Sequence, residues 1–150
     1  MWDIGWNMRQ LVLWLLAGLG LFLTACVEAA PPPAAAACRV TKVVDGDTLH
    51  LTCAGMLHKV RLLGYDTPEI YHPLCPAEQQ AGEAATDRMR RLVASGPVTA
   101  VRFAGHDRYG RDLAKVVIGG QDVAEHMLQS PLARPYAGHR HPDWCAILAP

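Results

Sequence analysis

The chain has 150 residues, 51% of them hydrophobic, and its 14 Lys and Arg are matched by 14 Asp and Glu. That length accommodates one domain once a targeting segment is set aside. A balanced charge excludes the strongly basic class of nucleic-acid binders, so any phosphate must be met by local placement of cations.

Residues 11–25 are apolar and uncharged, with Arg9 just before them. As a helix they would span roughly 22 Å, short of the roughly 30 Å hydrocarbon core, which suits a signal peptide over residues 1–25 better than a membrane span. Asp3 spoils a basic start, and Met8-Arg9 is the more natural initiation point. The apolar run ends in Leu23-Thr24-Ala25-Cys26, which resembles the bacterial lipobox and predicts lipidation of Cys26. An ordinary signal peptide or an uncleaved anchor helix is the alternative. Residues 26–37 are mostly alanine and proline and cannot form a core, so they read as an extended tether. The expectation is an exported protein held by an N-terminal lipid anchor to a membrane, facing the periplasm or the cell exterior.

From Cys38 onward the pattern is that of a folded domain, 38–150. Residues 39–44 and 48–52 alternate and are rich in β-branched side chains, with Asp45-Gly46-Asp47 between them, a hairpin signal. Residues 57–63 form a third strand stopped by Gly64. Residues 77–94 contain helix formers with apolar positions at helical spacing, ended by Gly96-Pro97. Two further strands, 98–103 and 113–118, flank a polar loop over 105–112. Asp122 and Glu125 cap a short helix ending near Gln129. Five short strands with a helix after the third and a short helix after the fifth predict a mainly β, α+β fold, a five-stranded Greek-key barrel of the oligonucleotide-binding (OB) type.

With Cys26 lipidated, Cys38, Cys53, Cys75 and Cys145 remain, an even number in an exported chain. A hairpin turning on Asp45-Gly46 sets Cys38 opposite Cys53 unless a bulge shifts the register. That leaves Cys75 for Cys145. A zinc site joining His72 and Cys75 to His139, His141 and Cys145 is the rival reading.

Three connections are dense in polar groups: Asp45-Gly46-Asp47-Thr48, Arg61 followed by Asp66-Thr67-Pro68-Glu69, and Asp107-Arg108-Tyr109-Gly110-Arg111. Each alone is ordinary turn chemistry. Together they offer hard oxygen ligands that suit Ca²⁺ and two guanidinium forks that suit a phosphate. In order and spacing they resemble the three signature blocks of the staphylococcal nuclease (thermonuclease) family, and Leu132-Ala133-Arg134-Pro135-Tyr136 resembles the segment after that family's second helix. The resemblance covers about residues 39–137.

It implies a calcium-dependent endonuclease that hydrolyses DNA or RNA and leaves 3′-phosphate ends. Asp47 and Asp66 would hold Ca²⁺ through carboxylates and Thr67 through its carbonyl. Glu69 would orient or deprotonate the attacking water, and Arg61 and Arg111 would grip the phosphate. Tyr109 and Tyr136 would pack near the nucleotide. Residues 38–150 hold 13 Lys and Arg against 12 Asp and Glu, so the domain lacks the strong positive charge of the best-known member. The chain, taken as a monomer, leaves no room for that protein's long C-terminal helix. Two other readings use the same fold: a catalytically silent nucleic-acid-binding module, and a structural envelope lipoprotein.

Overall fold

A computed structural model describes residues 38–149. The expected signal peptide, the lipobox-like Cys26 and the expected tether lie outside the described residues. Among the described residues no helix is long and apolar enough to cross a membrane.

Among the described residues eight strands and three helices follow one another: β1 (Cys38–Val43), β2 (Thr48–Cys53), β3 (Met56–Leu62), β4 (Gly64–Asp66), α1 (Pro76–Ala94), β5 (Val98–His106), β6 (Asp112–Ile118), β7 (Gln121–Asp122), α2 (Val123–Leu128), β8 (Arg134–Tyr136) and α3 (Trp144–Ile147). The main sheet runs β1-β2-β3-β6-β5 with β7 on β6, and β4 pairs with β8 in a separate ribbon. Every pairing is antiparallel except β3 with β6. This is the expected α+β architecture of OB type, with one correction. The sheet is not closed by hydrogen bonds: β1 and β5 pass near each other without a ladder between them.

Three boundaries also differ from expectation. β3 ends at Leu62, and Gly64, at φ +98°, opens β4 rather than simply stopping β3. Only glycine adopts that backbone readily, and the turn redirects the chain so that Asp66 and Thr67 come back over the sheet. β5 runs three residues further than the alternation suggested, to His106, which shortens the loop to 107–111. The first hairpin turns through a wider loop than Asp45-Gly46 alone, since Val43 pairs with Leu49. A bulge between Val40 and Lys42 absorbs the extra residue and restores Cys38 opposite Cys53.

The two disulfides are Cys38–Cys53 and Cys75–Cys145, with Cα separations of 4.1 and 6.0 Å. The zinc reading is thereby corrected, because Cys75 and Cys145 spend their sulfurs on each other.

The inward faces of the strands supply Leu49, Leu51, Val60, Leu62, Ala114, Val116 and Ile118, and α1 seals them with Ala85, Met89 and Leu92. Each large side chain so buried contributes about 1.5–3 kcal/mol. Among the described residues the core cluster lies within residues 49–133 and Trp144 adds one more buried side chain, so the domain from Cys38 has an apolar core of its own. Asp122 starts α2 as expected, its carboxylate accepting from the amides of Ala124 and Glu125.

Gly82 sits inside α1, where glycine costs about 1 kcal/mol against alanine. Its retention has a steric cause: a Cβ there would lie 2.7 Å from the Pro68 carbonyl oxygen, 2.9 Å from that of Glu69 and 2.6 Å from the Ile70 side chain. The helix is notched so that the loop after β4 can lie against it. Gly82→Ala is therefore expected to destabilise the domain by about 1–3 kcal/mol despite its better helix propensity. Denaturant midpoints measure this, and a gain in stability would show that the notch is not needed.

Candidate active site

The loop between β1 and β2, the end of β3 with β4, the loop 107–111 and the C-terminal segment converge on one open cleft of about 570 Å³. At its floor Arg61 lies between two carboxylates. Nη1 is 2.9 Å from Asp47 Oδ2 and Nη2 donates to Asp66 Oδ1 at 2.8 Å. All three residues are buried, at 7%, 7% and 4% exposure for Arg61, Asp47 and Asp66. One guanidinium thus serves two anions in a place that water barely reaches.

Each member is fixed by its neighbours. Thr67 donates to Asp47 Oδ2 through both its amide (3.2 Å) and its hydroxyl (3.1 Å), and Thr48 donates to Oδ1 (3.0 Å). Asp45 accepts from the Asp47 amide and so shapes the turn. The buried Tyr65 hydroxyl donates to the Gly46 carbonyl at 2.9 Å, tying β4 to the first hairpin. Burial pushes that phenol well above its ordinary range. Gly46 is needed here because a Cβ would come within 2.8 Å of Thr67 Oγ1. Burial likewise pushes the Asp47 carboxyl up to about 7, with nearby Asp45 and Asp66 adding to the rise, and Arg61 and Thr48 only partly offset it.

The cleft walls include Glu69, Tyr109 and Arg111. Glu69 is exposed and turned onto its own chain, its Oε1 accepting from the amides of Ile70 (2.8 Å) and Tyr71 (2.9 Å). Arg111 spends Nε on Asp107 Oδ2 at 2.7 Å, while its Nη atoms have no hydrogen-bond partner among the described residues. Burial raises the Asp107 carboxyl, but the Arg111 and Tyr109 amides and the Arg111 side chain outweigh it and hold the group below its usual range. Tyr109 lies beneath the guanidinium groups of Arg108 (4.7 Å) and Arg111 (5.6 Å).

The expected site residues therefore come together, with Tyr136 one layer away: it stacks on His141 at 4.7 Å and has the Arg61 guanidinium 5.8 Å from its ring. Several contributors were not anticipated. His141 Nδ1 lies 2.9 Å from Asp66 Oδ1, and Trp144 Nε1 donates to Asp66 Oδ2 at 3.1 Å. Buried Glu78 accepts from the amides of Leu74 (2.7 Å) and Glu69 (3.4 Å), bracing the loop 69–74. Trp144 had a readable signal: it is the single tryptophan after residue 37 and stands beside a bridged cysteine. Glu78 had none, since it reads as an ordinary first-turn acid.

The low net charge also conceals a segregation. The registers place Arg39, Lys42, His50, Lys59, Arg102 and Lys115 on the outward sheet face that Arg61 shares. None of β1, β2, β3, β5 and β6 puts an acidic residue on that face. Partial burial first, then the charges of Lys42 and Lys59, lower the His50 pKa.

The family description "Staphylococcal nuclease homologue" matches residues 59–144. The chain is 41% identical over 95 residues to the SPbeta prophage-derived endonuclease YokF of Bacillus subtilis (strain 168), covering 62% of this chain and 32% of that protein. It is 33% identical over 96 residues to the thermonuclease of Staphylococcus hyicus, covering 64% and 57%. An uncharacterized endonuclease of Escherichia coli is 35% identical over 99 residues, covering 65% and 60%. The chain thus spans between about a third and three-fifths of these relatives' lengths. With more than half of its residues matched, and the three polar connections meeting in one cleft, the chain belongs to the staphylococcal nuclease family.

Proposed function

We propose that the cleft hydrolyses phosphodiester bonds of DNA or RNA as a calcium-dependent endonuclease, leaving 3′-phosphate ends. The observation that carries this reading is the buried Asp47–Arg61–Asp66 group with Arg111 across the same cleft. Two buried carboxylates share one guanidinium, so with both ionised the group is one positive charge short. A hard divalent cation fits that deficit. Asp47, Asp66 and the Thr67 carbonyl would hold it. When bound it supplies positive charge against the phosphodiester and acidifies water.

The chain's own residues do the remainder. Arg111 presents its unpartnered Nη edge to a phosphate oxygen, and Asp107 holds the side chain in that orientation. Arg61, held at the floor between Asp47 and Asp66, adds positive charge beneath the phosphate as the phosphorus becomes five-coordinate. Glu69 has its Oε1 pinned by two amides, which sets Oε2 as the acceptor for an attacking water. Tyr109 offers a face on which a base can pack, and the acid-free sheet face gives the rest of the strand a cationic path.

Two disulfides suit an oxidising compartment, in keeping with export by residues 1–25 and membrane attachment through Cys26. The relatives' printed names, two endonucleases and a thermonuclease, support the nuclease part of the reading.

The test uses the domain from Cys38 with single-stranded DNA, in Ca²⁺ or in chelator. Ca²⁺-stimulated cleavage is expected, with Arg111→Ala and Glu69→Ala each at least roughly 100-fold slower. Absent cleavage, or variants as active as the parent, overturns the enzyme reading. Cleavage with Mg²⁺ but not Ca²⁺ overturns the calcium assignment alone.

The Asp47 carboxyl also makes stability depend on pH. Its pKa is raised in the fold, so the folded state holds the proton longer than the unfolded chain. Stability then falls as pH rises from about 4 to about 7 and levels off above. In chelator, Asp47→Asn is expected to lose that part of the slope and to melt higher than the parent at pH 7.5. Thermal melts at several pH values measure it, and an identical slope in the two proteins would refute the assignment.

A further inference from the structure

The C-terminal segment reaches the site from far along the chain. After β8, residues 137–143 have no regular structure, yet Trp144 is 97% buried and His141 touches the same carboxylate. What returns the segment is covalent. Cys145, next to Trp144, is bonded to Cys75, the residue that caps α1 at its N-terminus.

The contacts it makes are specific. Asp66 Oδ2 takes the Trp144 indole N–H, while Oδ1 takes the Arg61 guanidinium and His141 Nδ1. A carboxylate oxygen can only accept, so His141 carries its proton on Nδ1, and its Nε2 faces the Tyr136 hydroxyl at 3.3 Å. Tyr136, His141 and Asp66 thus form one chain of polar contacts, stiffened by ring stacking. A buried carboxylate with three directed donors cannot rotate freely.

We infer that the segment 141–145 is a disulfide-latched arm in which Trp144 is the positioning residue for Asp66. The inference rests on the reading of Asp66 as a cation ligand. Trp144 acts through Asp66: its indole N–H fixes the orientation of the group that meets the cation. Arg61 alone would leave Oδ2 without a protein donor. Reduction of Cys75–Cys145 by a dithiol, which becomes oxidised as the two cysteines become thiols, frees the arm and loosens Asp66.

The experiment compares the domain from Cys38 with Trp144→Phe, which keeps a ring in the pocket but removes the N–H. Ca²⁺ affinity is measured by calorimetry, and kcat and KM are measured on single-stranded DNA. A hydrogen bond to a charged group is worth about 1.5–3 kcal/mol, so a roughly 10- to 100-fold weaker Ca²⁺ affinity is expected at saturating folded fraction. kcat at saturating Ca²⁺ should stay within a few-fold. His141→Gln, which retains a donor, should lose less.

Trp144 is the domain's single tryptophan, so indole emission of the unaltered protein provides a second readout that survives any misfolding of the variant. Emission is expected to shift on Ca²⁺ addition and to lose that response after reduction. Unchanged Ca²⁺ affinity in a folded Trp144→Phe, or an indole indifferent to Ca²⁺, overturns the arm while leaving the nuclease reading intact. A parent domain that binds no Ca²⁺ overturns the arm and the calcium assignment together, while cleavage of single-stranded DNA decides the nuclease reading separately.

Discussion

A single guanidinium between two buried carboxylates is the constraint around which the rest of this domain is arranged. Removing three charges from water is costly, and such a group persists only when every lone pair and every N–H is met. Asp47 is met by Thr48 and by Thr67 twice over; Asp66 is met by His141 and Trp144. The count still leaves one more negative charge than positive. Buried ion groups of this kind are often no more stabilising than a well-packed apolar substitute, which is in keeping with the proposed role toward a cation and a phosphate.

The fold is shaped to bring those partners in. β4 exists because Gly64 turns the chain back over the sheet, and Tyr65 then ties that ribbon to the first hairpin. Gly82 opens a notch in α1 for the loop carrying Thr67 to Ile70, and Glu78 braces the same loop from below. The Cys75–Cys145 bridge closes the far side. By the chain-entropy account a loop of this length contributes about 4 kcal/mol. The Cys38–Cys53 bridge, at the opposite end of the hairpin from Asp47, fixes a register that the bulge near Thr41 would otherwise leave free to slip.

Much of this was legible in the sequence, for physical reasons that differ by element. The strands and α1 were readable because alternation and helical spacing report directly on which face is buried. The three polar connections, each ordinary turn chemistry alone, were readable together because their order and spacing resemble the family's signature blocks. The cysteine pairing followed from hairpin symmetry, although the true turn is one residue wider and the bulge compensates. What was not legible depends on contacts between distant positions. Nothing local says that Trp144 returns to Asp66, that Glu78 caps a loop rather than solvent, or that Arg61 would be enclosed by both aspartates. The segregation of cations onto one sheet face was hidden by a net charge that averages over all faces.

The central claim is that Asp47 and Asp66 together form a cation site. Anomalous diffraction from crystals of the domain soaked in Ca²⁺ tests it most directly. The account predicts one strong peak about 2.3–2.6 Å from a carboxylate oxygen of each residue and from the Thr67 carbonyl. An empty floor beside Arg61, with Ca²⁺ bound elsewhere or nowhere, would contradict it.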